Sequence, residues 1–246
     1  RLGSSSDYKQ VDRYGELVGG CKTDNDARFV RAFWEVSPED IGIGENDHWC
    51  FFSKGGEFSL FYASIHLLVD WRKKGGYLGD YLYEKRPRNG YLWGPKSWSF
   101  NHMGKPGLFW SRKSTKGISL RALPRNCASS DKTCYLIPSD NNIRMKLLAS
   151  LNSISFCSQA KLFSTGHGAY EKGTVGLIPL PYKNEESLED LALKSYHNVR
   201  NIYSLFQSDV NFVSGIRFFK DGYVLGLKRI REFNSRNVSE FSENIE

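Results

Sequence analysis

Apolar and polar residues change their spacing near Ser139-Asp140. Before that point, runs rich in aromatic and β-branched residues recur at residues 29–36, 49–53, 67–71, 107–111, 118–123 and 134–137. Gly-Pro, Gly-Lys-Pro and Lys-Gly turn signals separate them, which is the pattern of short strands. Residues 57–64 and 77–85 have room for helices, and Trp34, Trp49 and Trp71 are assigned to the core. From the N-cap candidate Asp140 onward, Ile143, Leu147, Leu148 and Leu151 recur at helical spacing, and a second helical run, residues 154–163, follows the Asn152-Ser153 break. Residues 170–178 read as a strand leading to Pro179-Leu180-Pro181, whose missing amides stop both strand and helix. Asn184 is placed to cap a longer amphipathic helix with Leu188, Leu191, Ala192, Val199, Ile202 and Phe206 along one face. A mixed segment, residues 213–227, precedes a polar tail. The expected class is α+β: a β-rich part with short mixed strands, then helical segments and a long amphipathic helix. The expected organisation is a leader or linker at 1–17, a domain at 18–183 and a helical or mixed segment at 184–246.

With 246 residues, 40% apolar and 25% charged, the chain has ordinary globular composition and enough length to bury a core. It begins with Arg1 and a polar stretch, so a piece of something longer is expected. Five cysteines, odd in number and never in a C-x-x-C pair, argue against a disulfide framework and a zinc knuckle and suit a reducing cytoplasm. No stretch approaches the roughly 18–20 apolar residues that span a bilayer, and the amino end has no basic-then-apolar signal pattern. The expectation is a cytoplasmic protein with no membrane partner.

Charge sharpens the picture. Ten of the bases, Lys85, Arg86, Arg88, Lys96, Lys105, Arg112, Lys113, Lys116, Arg121 and Arg125, lie between Tyr81 and Arg125, opposed only by Glu84. That segment carries +9 of a formal net charge of +7, leaving −2 for the remainder. Tyr91, Trp93, Trp98, Phe100, Phe109 and Trp110 are interleaved with it, a mixture suited to a surface that meets phosphates and bases together. A solvated basic face over a core of aromatics would produce the same pattern.

The densest local signal runs from His48 to Gly76, where an apolar run delivers the chain into Lys54-Gly55-Gly56. Paired glycines permit positive φ and leave amides uncovered, a suitable approach for a phosphate or a base edge. A plain strand–turn–strand fits as well. Motifs for catalysis are missing: there is no glycine-rich cofactor turn, no Asn-Pro-Pro-Tyr motif for a flipped adenine, no Gly-x-Ser-x-Gly elbow and no Glu-x-Lys pattern of metal-dependent nucleases. His48 and Cys50 lack a partner pair at metal-ligand spacing.

Two blocks stand out in order along the chain: Lys22-Thr23-Asp24-Asn25 with Arg28-Phe29-Val30-Arg31 and Trp34-Glu35-Val36, then Lys54-Gly55-Gly56-Glu57-Phe58 with Tyr62 and Val69-Asp70-Trp71. With the weaker Leu151-Asn152-Ser153 and Pro179-Leu180-Pro181, this series resembles the target-recognition region of adenine-specific DNA methyltransferases of the phage-exclusion (BREX-type) and combined restriction-modification families. The resemblance runs from about Val18 to about Tyr182. It implies a non-catalytic fragment that reads duplex DNA in restriction-modification or phage defence. It further implies a methyltransferase domain on the amino-terminal side as partner, with S-adenosylmethionine as that domain's cofactor and none in this fragment. Phosphate candidates are Lys54 with the Gly55 and Gly56 amides, Arg86, Arg88, Lys113 and Lys116. Base-reading candidates are Lys96, Trp98, Ser99, Asn101 and Arg112. Lys22, Thr23, Arg28 and Arg31 match the family block and could equally hold the domain to its neighbours. Two rival readings are a protein-interaction specificity module of a multi-chain restriction system, supported by the helix after Asn184, and an RNA-binding accessory domain, since bases with aromatics also suit single strands.

Overall fold

The computed structural model describes residues 8–43, 47–88, 102, 104–164, 168–182, 185–206 and 208–211. An antiparallel sheet of order β2-β9-β6-β7 lies at the centre, formed by β2 (Gly15–Gly19), β6 (Gly107–Ser111), β7 (Leu120–Leu123) and β9 (Thr133–Pro138). Its strands β6, β7 and β9 are largely buried on both faces, and alternation sorts their side chains between two cores. Leu108, Trp110, Leu120, Cys134 and Leu136 face the helical core, whereas Phe109, Leu123, Tyr135 and Ile137 face the second.

The helical core is built from α3 (Arg144–Leu151), α4 (Ile154–Phe163), α5 (Lys172–Gly176) and α6 (Glu186–Tyr203). The second is closed by a sheet of order β3-β5-β4-β8, formed by β3 (Val30–Ala32), β4 (Trp49–Ser53), β5 (Leu67–Asp70) and β8 (Cys127–Ser129), together with α2 (Gly76–Lys85). β4 pairs with β5 antiparallel and with β8 parallel, Phe52 lying opposite Ala128. The α+β class is therefore observed, as three layers: helices, central sheet, second sheet.

Several local expectations are corrected. Residues 8–17, read as leader, are folded in: β1 (Lys9–Gln10) pairs with β10 (Pro179–Leu180), Val11 is in the core, and β2 runs along β9. The strand expected at 29–36 stops at Ala32, because the Glu35 carboxylate accepts the Ala32 amide at 2.6 Å and turns Phe33–Glu35 into a 3-10 turn. Trp34 is consequently 57% exposed and stacked on His66, while Trp49 is half-buried and only Trp71 of the three is in the core. Residues 57–64 form no helix. Phe61, at φ 66°, instead lines the edge of β7, its amide donating to the Leu120 carbonyl and its carbonyl accepting from Ala122, both at 2.9 Å. Residues 170–178 are not a strand but contain α5, and Tyr170, Val175 and Ile178 on and around it are buried in the helical core. Asn184 and residues 213–227 lie outside the described residues.

Candidate nucleic-acid interface

β4 feeds Lys54, after which Gly55 (φ +84°) and Gly56 (φ +108°) reverse the chain in a conformation that only glycine adopts without strain. The turn rests on Arg121 of β7. Arg121 Nη1 donates to the carbonyls of Gly55 (3.4 Å) and Glu57 (3.3 Å), and Nη2 donates to Ser111 Oγ at 2.9 Å. Ser111 Oγ donates in turn to the Gly56 carbonyl at 3.3 Å. The guanidinium lies 4.5 Å from the Phe109 ring centroid and has no measurable exposure. Burial pulls its pKa down to about 10, with the Tyr203 phenol acting in the opposite direction. Arg121 entered the sequence reading as one base of an exposed segment; its place opposite Phe109 in the β6–β7 register buries it instead.

Beside the turn, a cleft of about 260 Å³ is lined by Lys22, Asp24, Asp26, Lys54, Asp131 and Lys132 among others, so its charges balance. Lys54 forms an ion pair with Asp26, which also accepts from the Thr23 hydroxyl. Burial works against the Asp26 carboxylate, but the hydrogen bonds from Lys54 and Thr23 hold its pKa below the ordinary value. Arg86 Nε lies 2.7 Å from Asp24. Lys54 thus lines the cleft and Arg86 reaches it through Asp24, each already facing a carboxylate.

Arg112 forms a 2.7 Å ion pair with Glu171, and its amide donates to the Lys132 carbonyl at 2.9 Å, which sets it next to the same cleft. Lys113 is exposed and bridges to Ala169; Lys116 is exposed beside Gly117; Arg88 is exposed after α2. Lys96, Trp98, Ser99 and Asn101 lie outside the described residues. The structure therefore gathers Lys54, Gly55, Gly56, Arg86 and Arg112 around one region. Sequence reasoning missed Arg121 and Lys132 there; Lys132 follows Asp131 in an ordinary-looking turn and carries no motif that would single it out.

The ordered blocks acquire structural reasons. Asn25 caps α1 (Asp26–Phe29) by accepting the Arg28 amide at 3.2 Å. Arg28 donates to the Tyr77 hydroxyl at 2.5 Å and stacks on Phe29, Tyr77 and Tyr81, while Arg31 lies over Trp49. Asp70 of the Val-Asp-Trp block is buried and holds Arg72 through Nε (3.0 and 3.1 Å) and Nη2 (2.5 Å), setting Arg72 over Tyr77. Arg28, Arg31 and Asp70 thus brace the second core from within the chain.

No family model matches the chain. It is 25% identical over 208 residues to the adenine-specific methyltransferase PglX of Lacticaseibacillus casei (strain Zhang), a match that covers 80% of this chain and 17% of that protein. In fold it is similar to the type IIL restriction-modification enzyme MmeI, solved in complex with DNA, with a TM-score of 0.51 at 12% identity over 100% of this chain and 34% of MmeI. A type I restriction-modification structure aligns over 97% of this chain and 45% of its own at a TM-score of 0.42 and 11% identity. The expected resemblance, to the specificity region of restriction-modification and phage-exclusion methyltransferases, is borne out. The chain spans 17% of the length of the curated relative it matches. Among the described residues no helix is long and apolar enough to cross a membrane.

Proposed function

We propose that this chain is the DNA target-recognition domain of a larger N6-adenine methyltransferase, docking on duplex DNA and reading a site while a separate domain with S-adenosylmethionine transfers the methyl group. The observation that carries this reading is the similarity to PglX across 80% of the chain. The likeness in fold to an enzyme solved in complex with DNA supports it. Basic residues around the Lys54 turn and the end of β6 neutralise phosphates and fix register, and neighbouring Arg and Lys side chains read base edges. The activity belongs to restriction-modification or phage defence in the cytoplasm. α6 is less suited to the interaction-module reading, because its Ala192, Ser195 and Val199 are buried within this chain.

Fluorescence anisotropy of a mixed duplex pool across a salt series tests the proposal, with matched single-stranded RNA alongside. Duplex binding that falls steeply with salt is the expected result. Equal or tighter binding of the RNA, or no duplex binding at low salt, overturns it.

A further inference from the structure

The carbonyls of Gly55, Gly56 and Glu57 all turn inward, two onto the Arg121 guanidinium and one onto the Ser111 hydroxyl. A trans peptide points its carbonyl and the next amide in opposite directions, and no cis peptide occurs among the described residues. The amides of Gly56, Glu57 and Phe58 therefore face away from Arg121, and these three residues are exposed. None of the three amides has a hydrogen-bond acceptor among the described residues. Three successive outward amides are the kind of donor set that backbone anion sites use.

Arg121 adds charge to it. No carboxylate lies within ion-pair distance of this guanidinium among the described residues, and its Nε has no acceptor there. A cation buried without neutralisation is costly, and the cost falls when an anion binds within reach of its field. The carbonyls that Arg121 holds belong to the same peptides whose amides face outward, so the charge and the donors are joined mechanically. Lys132 flanks the turn, its Cβ 3.6 Å from where a Gly55 Cβ would stand and its side chain 68% exposed. Glu57 is the one carboxylate within the turn.

We propose that the amides of Gly56, Glu57 and Phe58, backed by Arg121 and flanked by Lys132, bind one phosphate group. The site deepens the DNA-recognition reading, on which only the carrier of the phosphate depends. Arg121 is a positioning residue: it orients the donors and supplies the field without touching the ligand.

Amide-resolved NMR of the whole chain, titrated in separate arms with inorganic phosphate and with a short duplex, tests this. Saturable downfield shifts of the Gly56, Glu57 and Phe58 amide protons are expected in both arms. In Arg121→Gln, with the remaining spectrum unchanged, phosphate affinity at these amides falls about tenfold, the effect of removing a nearby buried charge. Should Arg121→Gln fail to fold, Lys132→Ala provides the second variant, expected to weaken phosphate binding while leaving the three amides as the responders. Duplex binding with the three amides silent to both duplex and phosphate overturns the site and spares DNA recognition. Phosphate shifts without duplex binding uphold the site and overturn DNA recognition. Silence of the three amides in both arms overturns the site.

Discussion

The side-chain amide of Asn152 pairs with the backbone of Leu120 as a neighbouring strand would: Oδ1 accepts the Leu120 amide and Nδ2 donates to the Leu120 carbonyl, both at 2.9 Å. β7 is the last strand of the central sheet; Phe61 covers part of its outer edge, and without Asn152 the outward amide of Leu120 would be orphaned in the core. Asn152 ends α3, and Ser153 begins α4 by accepting the Phe156 amide at 3.3 Å. The Leu-Asn-Ser segment is thus a helix break and an edge seal in two residues.

Asn152→Ala leaves the Leu120 amide without an acceptor, while the carbonyl keeps the Phe61 amide. One orphaned buried donor costs about 1–3 kcal/mol. Urea unfolding is expected to show that loss with an unchanged slope, and Asn152→Asp, which removes the donor and adds a buried charge, is expected to cost at least as much.

Tyr62 ties the β-rich part to the end of α6. Its hydroxyl donates to Asp209 Oδ2 at 2.9 Å and accepts from Asn211 Nδ2 at 2.8 Å, and its ring meets Tyr196 and Tyr203 edge-on. Tyr62→Phe keeps the ring and removes a donor from a buried carboxylate, for an expected cost of about 1–3 kcal/mol. Hydrogen exchange should show the added opening concentrated at the end of α6; uniform loss of protection across the chain would contradict this linkage.

Burial raises the thiols of Cys21 and Cys127 to about 12 and those of Cys134 and Cys157 to about 11, against an ordinary value of 9.0. The folded chain therefore holds more protons than the unfolded one from pH 9 up to these values, and the thiol contribution to stability, complete below pH 9, falls through that window. Unfolding midpoints are expected to hold below pH 9 and to drop as the pH rises from 9 through 11. In native thiol titration at pH 8, Cys157, the one half-buried cysteine, should react first.

Lys113 and Arg112 are adjacent but differently held. Exposed Lys113 is expected to act on phosphate alone, so Lys113→Ala weakens all duplexes about equally and lowers the salt slope by about one contact. Arg112 is held by Glu171 at 2.7 Å, so Arg112→Ala should relax preference at one base pair. Glu171→Gln, which releases the guanidinium, should alter that same preference. Competition against a randomised duplex pool reads all three; unchanged preference in Arg112→Ala removes it from the base-reading residues.

Elements marked by local signals were legible in the chain itself. β4, β6 and α4 fall where the pattern put them, and Asp140 accepts the Asn142 amide as an N-cap should, because turns, caps and side-chain period act over a few residues. The α+β class and the family resemblance were legible for the same reason. What tertiary structure decided was set by distant neighbours. Edge pairing with β7 kept residues 57–64 from forming a helix, and joint burial of Tyr170, Val175 and Ile178 curled a strand-like segment into α5. Burial and charge diverged most at the candidate site. Lys54 and Arg86 read as free cations but face Asp26 and Asp24, and Arg121 read as surface but stands under the Gly55-Gly56 turn. Sequence composition counts charges, whereas burial and pairing depend on which strand lies opposite which, and that register is fixed only when the whole core packs.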